Sequence, residues 1–251
     1  MLNLILHCGS RQASRELVER CPTPPPTPTW VPIAHHQLLE RVESSLTATG
    51  LRVVNQAHAL SADRMRYFGL LEVVNGNGHA DYALVIGVRN SHDRTFPAGL
   101  AVGSAVFACD NLSFSSEIVI ARRHTRFIER DLPGLVDQAV GRLGDLRGLQ
   151  DERIALYKQT ALNDVRAHHL TIKAVDARIV PVTRVPHVLR EWRRPSHEEF
   201  ARDGKTAWRF MNAVTGAAKG GNLLQLPRRT QALHGLLDAV CGLQRAPVPA
   251  N

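Results

Sequence analysis

The amino-acid sequence predicts an α+β fold. In this fold, one N-terminal helix precedes a curved antiparallel meander of about five strands, and a long helix and a mainly helical C-terminal region follow. Between residues 51 and 121 apolar side chains alternate with a period of two, which is typical of strands, and beyond His124 they recur with the 3.6-residue period of a helix. The Asn75–Gly78 link contains residues that tolerate positive φ, which favours an antiparallel hairpin between the second and third strands.

A proline-rich connector precedes the first long helix. Six prolines between Cys21 and Pro32 exclude helix and central strand there, because proline fixes φ and lacks a backbone N–H. We take residues 1–34 as an N-terminal segment that ends with this connector. Apolar residues then recur at helical spacing over His35–Thr49, and Gly50 is expected to end that helix.

The sheet domain is assigned to residues 35–125. Its five strand-like runs are separated by turn residues, and their short connections favour a meander in which consecutive strands are neighbours. Gly99 and Gly103 lie on one face of the fourth run, where either a close backbone approach or a bulge explains them. The runs cover residues 51–60, 66–74, 81–89, 98–108 and 114–121.

A long helix opens the helical region, residues 126–251. Asp131 and Pro133 are typical of a helix N-terminus, and the 3.6-residue apolar period continues to Leu149. A second apolar stretch over 154–165 continues this helix or packs beside it. Further helices are predicted at about residues 187–193, 206–219 and 228–243.

Three glycines interrupt the long helix on one face. Gly141, Gly144 and Gly148 would form a groove without side chains, and each costs up to about 1 kcal/mol of helix stability relative to alanine. A closely packed helix, for example from another subunit of a homo-oligomer, would compensate this cost. The alternative is a broken helix.

Composition sets the broad class of protein. Hydrophobic residues make up 44% of the 251-residue chain, which excludes extensive intrinsic disorder. The formal charge of +8 is confined to one half, because residues 1–121 carry 9 basic and 10 acidic residues and residues 122–251 carry 22 and 13. Arginine dominates the basic residues and binds phosphates bidentately, although a GC-rich genome gives the same bias.

The sequence also limits localisation and cofactors. No apolar run approaches the roughly 20 residues that span a bilayer, and residues 1–6 are too short for the core of a secretory signal. The cysteines are too few and too scattered for a disulfide framework or a metal site, so we expect reduced thiols in a cytoplasmic protein without membrane contact. No phosphate-binding loop occurs, and no cofactor is expected. The cysteines are Cys8, Cys21, Cys109 and Cys241.

The densest polar clusters lie at the ends of the predicted third and fourth strands. His92, Asp93, Asp110 and His124 are candidates for a metal or acid/base site, since carboxylates and imidazoles at neighbouring strand ends can converge on one cation. The alternative is structural, because Asn, Ser, Asp and His in tight turns satisfy free backbone groups with their own side chains.

Basic residues mark the junction between the sheet and the long helix. Arg122, Arg123 and Arg126 are candidates for phosphate contacts, and Arg193 and Arg194 extend the set. A solvated surface without a ligand is the alternative. Only 5% of the residues are aromatic, so stacking platforms for bases are few. The candidate platforms near the sheet are Trp30, Tyr67, Phe68, Tyr82, Phe96 and Phe114.

Two segments carry a resemblance to a known family. Asn-Ser-His-Asp-Arg-Thr-Phe-Pro-Ala-Gly-Leu-Ala-Val-Gly at 90–103, continuing through Val-Phe-Ala-Cys-Asp-Asn-Leu at 106–112, resembles the phage- and plasmid-associated family called domain of unknown function 932. Trp-Arg-Phe-Met-Asn-Ala-Val-Thr at 208–215 is similar to that family's C-terminal helix. The resemblance implies a protein of a mobile genetic element, but it brings no catalytic residues. In topology alone, a meander followed by a long helix is also similar to single-strand-annealing recombinases.

These observations favour one function and leave two alternatives. The leading hypothesis is a phage- or prophage-derived nucleic-acid-binding protein that holds or anneals single-stranded DNA as an oligomer, without a metal. The first alternative is a metal-dependent phosphodiesterase or nuclease that uses the His92, Asp93, Asp110 and His124 side chains. The second is an anti-defence protein that binds a host protein partner.

Overall fold

The computed structural model of the chain describes residues 11–74, 82–106, 111–218 and 225–243. Its strands form a six-stranded antiparallel sheet in the order β1-β2-β3-β4-β5-β6, so each strand pairs with its neighbours in sequence. The predicted α+β class and the meander are therefore confirmed. The strands are β1 (Arg11–Ala13), β2 (Arg52–Leu60), β3 (Arg66–Val74), β4 (Tyr82–Ser91), β5 (Ala98–Val106) and β6 (Asn111–Arg122).

Two helices lie between β1 and β2, and the helices after β6 fill the C-terminal half. The helix over His35–Ala48 ends just before Gly50, as predicted, since that glycine has a φ of 77°. The helices are α1 (Arg15–Glu19), α2 (His35–Ala48), α3 (Ile128–Gly141), α4 (Leu143–Gln159), α5 (Asp164–Asp176), α6 (Val185–Arg193), α7 (Glu198–Arg202), α8 (Ala207–Ala218) and α9 (Leu226–Cys241). Among the described helices, none is both long enough and apolar enough to cross a membrane.

The long helix expected after the sheet is broken. Helix α3 ends at Gly141 and α4 begins at Leu143, with Arg142 as the joint, so the alternative of a broken helix is the observed one. The glycine face remains open, because a Cβ placed on Gly144 or Gly148 would meet no atom within 4 Å.

Gly99 lies at a close approach of two backbones and next to a register shift, the two explanations that the sequence allowed. A Cβ at this position would lie 2.9 Å from the Ile120 carbonyl oxygen and 3.1 Å from Arg89 Nε, so the backbones of β5 and β6 approach closely. The pairing of these strands also shifts register next to Leu100 and Ala101, as in a bulge.

Two clusters of buried side chains stabilise the molecule. The first joins the sheet to helices α2 and α3 through residues such as Leu39, Leu71 and Val136. The second lies among the C-terminal helices around Trp192 and Phe210, and Tyr82 joins it from β4. Each fully buried side chain of this size contributes about 1.5–3 kcal/mol to folding.

Strand register places several chain segments at one end of the sheet. Leu60 pairs with Tyr67, and Tyr67 pairs with Asn90. Ala98 pairs with Arg122 across β5 and β6. This end also receives the connector before α2 and the segment before α3, and we call it the junction end. Arg52 and Val74, which pair across β2 and β3, lie at the opposite end of the sheet.

Candidate nucleic-acid interface

An exposed aromatic ring lies at the junction end, between the last strand and helix α3. Phe127 is the residue before α3, and it is 41% exposed. The guanidinium carbon of Arg126 lies 4.6 Å from the centre of its ring, and that of Arg130 lies 4.7 Å from it. Guanidinium groups at this distance from an aromatic ring are held by cation–π attraction. Phe127 therefore presents an apolar ring flanked by two positive charges.

A second aromatic–arginine pair lies near the first. The guanidinium carbon of Arg94 lies 4.5 Å from the centre of the Trp30 ring, and Arg94 is exposed. Trp30 is half-buried, and its ring centre lies 6.3 Å from that of His124. His124 is two residues before Arg126, so the Trp30–Arg94 pair lies close in space to the chain segment that carries Arg126 and Phe127. We call Trp30, Arg94, Arg123, Arg126, Phe127 and Arg130 the basic–aromatic strip.

The three arginines predicted to contact phosphates differ in their surroundings. Arg122 is paired with the Asp131 carboxylate, which also accepts a hydrogen bond from Arg130 Nε at 2.9 Å. Arg123 and Arg126 are exposed and form no ion pair with any residue that the structure describes. Among the predicted trio, these two therefore carry the charge that is most available to a ligand.

The remaining two predicted arginines belong to another part of the chain. Arg193 ends helix α6, and its Nη2 lies 3.3 Å from Nε2 of His168 in α5. The backbone N–H of Arg194 donates to the Arg190 carbonyl oxygen at 2.7 Å. Arg193 and Arg194 are exposed, but their contacts are with the C-terminal helices and not with the strip.

A buried histidine pair underlies the connector that carries Trp30. The rings of His35 and His92 stack with their centres 3.9 Å apart. His92 Nε2 donates to the Ile33 carbonyl oxygen at 2.8 Å, and Asn90 Nδ2 donates to the same oxygen at 2.8 Å. Asn90 also lies 3.0 Å from His35 Nδ1. These contacts attach the C-terminal end of the connector to the end of β4, three residues after Trp30.

The buried histidines are uncharged at neutral pH. Burial lowers the pKa of His35 to about 3, and the neighbouring His92 lowers it as well. Burial likewise lowers the pKa of His124 to about 4, again with His92 contributing, and it lowers the pKa of His92. Both ring nitrogens of His124 and Nδ1 of His92 lack a hydrogen-bond partner. The positive charge of this end therefore comes from arginine.

Asp93, grouped with these histidines by sequence, has a structural role. Its carboxylate accepts hydrogen bonds from Arg66 Nε at 2.6 Å and from the Thr95 N–H at 3.0 Å. Burial opposes its ionisation, but the bonds from Thr95 and Arg66 outweigh burial and hold the pKa of Asp93 at about 2. The side chain thus satisfies a backbone group in its turn, as in the structural alternative.

The metal hypothesis gains no support from these positions. Among the described residues, no group of three or more His, Cys, Asp and Glu side chains is arranged to hold a metal ion. Asp110, the fourth candidate ligand, lies outside the described residues. His92 already uses Nε2 to anchor the connector, which leaves it one ring nitrogen for other contacts.

Sequence reasoning found part of the strip. It named Trp30 as a stacking candidate and Arg123 and Arg126 as phosphate contacts. It missed Phe127, Arg94 and Arg130. The available signal was Arg-Phe-Ile-Glu-Arg at 126–130, since it places an aromatic residue between two arginines at a helix start. Among the other candidate platforms, Tyr67, Tyr82 and Phe96 are buried, and nothing is described of the Phe114 side chain.

The strip combines the two groups that recognise a nucleic-acid chain. Its guanidinium groups can bind phosphate oxygens bidentately, and its aromatic rings can stack on bases. Comparisons of the chain with protein-family models, with curated proteins and with solved structures found no match.

Proposed function

We propose that the protein binds single-stranded nucleic acid along the basic–aromatic strip, most readily single-stranded DNA, and that it holds or anneals strands rather than cleaving them. The observation that carries this proposal is Phe127, which is 41% exposed between the guanidinium groups of Arg126 and Arg130. Covering this ring with a base would remove apolar surface from water, which is favourable.

The arrangement favours a single strand over a duplex. Bases in a duplex are stacked on one another, so a ring at the protein surface can reach them only at an end or an opened pair. Unpaired bases can stack on Phe127 and Trp30 by displacing a guanidinium group from the ring face, and the displaced arginine can then bind a phosphate. A base–aromatic contact contributes about 1–3 kcal/mol per base. The exposed Arg123 and Arg126 side chains supply contacts to phosphates on either side of the ring.

Two further observations support an oligomer from a mobile element. The open face of Gly144 and Gly148 lets another helix approach α4 closely, which suits a homo-oligomer arranged along a strand. The resemblance of residues 90–112 to the phage- and plasmid-associated family supports a phage or prophage origin and hence action in the cytoplasm.

Fluorescence anisotropy tests the proposal. Labelled single- and double-stranded DNA and RNA are titrated with the protein at several salt concentrations, in buffer without divalent metal. We expect saturable binding of the single strands, weakened steeply by salt, and weaker binding of the duplexes. Absence of binding at low salt would refute the proposal, and so would equal binding of single strands and duplexes.

A variant of the aromatic ring tests its part in the binding. Phe127→Ala should weaken single-strand binding by about 5- to 150-fold, because one stacking contact is lost. Since Phe127 is exposed, the fold should be retained, which circular dichroism and the unfolding midpoint would verify. Leu149→Ala is the matched control, as Leu149 is 40% exposed on α4, outside the strip. Equal affinity of the two variants would exclude stacking on Phe127.

A further inference from the structure

A cleft lies among the C-terminal helices, formed by residues other than those of the strip. Its volume is about 280 Å³, close to the lower end of the range for small-molecule sites, roughly 300–1,000 Å³. Helices α6, α7 and α8 and the segment between α6 and α7 form its walls. The polar lining includes Arg184, His187, Glu191, Ser196, His197 and Arg209.

Arg209 is a buried cation without an acidic partner. Only 8% of the residue is exposed, and it forms no ion pair with any residue in the described part of the chain. Its Nη2 donates to the Arg193 carbonyl oxygen at 3.2 Å, and its Nε has no hydrogen-bond partner. The Trp192 ring lies 5.7 Å from its guanidinium carbon. Because burying an unpaired charge is costly, such an arginine is typical of a site that an anion completes.

The acidic residue of the cleft does not neutralise this arginine. Glu191 accepts hydrogen bonds from the Ser196 N–H at 2.9 Å and from the Ser196 hydroxyl at 2.6 Å. Its carboxylate is therefore committed to the segment after α6. The other nearby acid, Asp164, accepts bonds from Trp192 Nε1 and Lys205 Nζ, at 2.9 and 2.7 Å.

The remaining lining residues complete a donor set for an anion. The imidazoles of His187 and His197 each present an N–H donor in either protonation state, and Arg184 adds an exposed guanidinium at the rim. Phe200 and Ala213 form an apolar part of the wall. A group with several acceptor oxygens, joined to an apolar body, matches this combination.

We propose that this cleft binds a small organic phosphate, with the phosphomonoester on Arg209, His187 and His197 and the organic part against Phe200 and Ala213. A phosphomonoester dianion offers three acceptor oxygens to converging donors, whereas a carboxylate offers two. The volume of the cleft suits a molecule larger than the phosphate group itself. The cleft and the strip share no residue, so this proposal does not rest on nucleic-acid binding.

Isothermal titration calorimetry with phenyl phosphate tests the proposal, with inorganic phosphate and benzoate as comparison probes. We expect saturable binding of phenyl phosphate that is tighter than binding of either comparison probe. Benzoate binding as tightly would assign the cleft to carboxylates, and inorganic phosphate binding as tightly would remove the role of the apolar wall. Each of these results would overturn the proposal, as would the absence of phenyl phosphate binding.

Three substitutions locate the binding. Arg209→Met keeps an unbranched stem beside Trp192 and should weaken phenyl phosphate binding about tenfold or more, since it removes the buried charge. Arg190→Met is the matched control, because Arg190 is exposed on α6 and does not line the cleft. Glu191→Gln removes a negative charge from the cleft and should tighten binding.

The gain expected for Glu191→Gln keeps the test decisive even if Arg209→Met does not fold. An anion bound outside the cleft would leave the affinity of the Glu191→Gln protein unchanged. Equal loss in the Arg209→Met and Arg190→Met proteins, or unchanged affinity after Glu191→Gln, would overturn the assignment.

Discussion

Single residues decide how closely the strands approach each other, and Gly99 is the clearest case. Its missing side chain leaves room for the Ile120 carbonyl oxygen, which would lie 2.9 Å from a Cβ. Gly99→Ala should therefore destabilise the protein by about 1–3 kcal/mol, since the strands must move apart. Urea denaturation measures this change in the free energy of unfolding.

Gly235→Ala is expected to have the opposite effect in the same measurement. This exposed glycine lies within α9 with no atom within 4 Å of a Cβ, so alanine should stabilise the protein by up to about 1 kcal/mol. If Gly99→Ala stabilised the protein as well, the close approach of β5 and β6 would be wrong.

The buried histidines make stability depend on pH. His35 and His124 have pKa values of about 3 and about 4 in the folded chain because of burial, below the ordinary value of 6.5. The unfolded chain therefore binds more protons below pH 6.5, and stability falls as the pH drops from 6.5 towards 4. Each such histidine costs about 1.4 kcal/mol at pH 5.5.

Urea denaturation at pH 7.5 and pH 5.5 checks this expectation. The free energy of unfolding should be lower at pH 5.5, and His124→Gln should reduce the difference by the share of one histidine. A stability that does not change between these two pH values would contradict the uncharged state of the histidines.

At the scale of elements, helices α4 and α9 are joined by a buried ion pair. Arg153 Nε and Nη2 donate to the two oxygens of Asp238 at 3.0 and 2.9 Å, and the Tyr157 hydroxyl donates to the same carboxylate at 2.6 Å. Asp238→Asn should cost about 3–5 kcal/mol, because a buried guanidinium loses its counter-charge.

The double variant Arg153→Met/Asp238→Leu separates the charge from the packing. It removes both charges and should recover much of the stability that Asp238→Asn loses, as measured by thermal unfolding. If Asp238→Asn were as stable as the natural protein, the pair would not join the two helices.

The start of helix α3 adjusts the charge of the strip. Asp131 pairs with Arg122 and Arg130, so its carboxylate competes with phosphates for both guanidinium groups. Asp131→Asn should therefore tighten single-strand binding by about two- to tenfold at low salt, and the salt dependence should become steeper. Anisotropy titration measures both quantities. Weaker binding by Asp131→Asn would indicate that the ion pairs hold the arginines in their binding positions.

Most elements could be predicted from the sequence because their patterns are local. Helix α2 was predicted at His35–Thr49 and is observed at His35–Ala48, since its apolar spacing and Gly50 define both ends. Strand β1 was missed because its three residues are too few to show a period. The break at Arg142 was left open because glycine weakens a helix without showing where it ends.

The candidate site was less predictable because its contacts join distant parts of the chain. His35 and His92 stack although 57 residues separate them, and Trp30 meets Arg94 only because Asn90 and His92 fasten the connector. No spacing in the sequence shows such contacts. The basic run at 122–126 was visible, but the ion pair of Arg122 with Asp131 depends on the turn into α3.

At the scale of the whole molecule, exposed arginines at the two ends of the sheet allow a matched comparison. Arg123 and Arg126 lie at the junction end, whereas Arg52 is exposed at the opposite end of β2. Replacing an arginine at either place lowers the net charge of +8 equally. A general electrostatic attraction would respond to both changes alike, and a localised interface would respond to only one.

The salt dependence of single-stranded DNA binding therefore tests the central claim most directly. Anisotropy titrations at several salt concentrations would compare Arg123→Ala and Arg126→Ala with Arg52→Ala, each as a single variant. The slope of log affinity against log salt is negative, and its magnitude should decrease by about 0.7 for each strip variant, the value for one phosphate contact on a single strand. The slope should stay unchanged for Arg52→Ala. Equal slopes in all three variants would contradict binding along the strip.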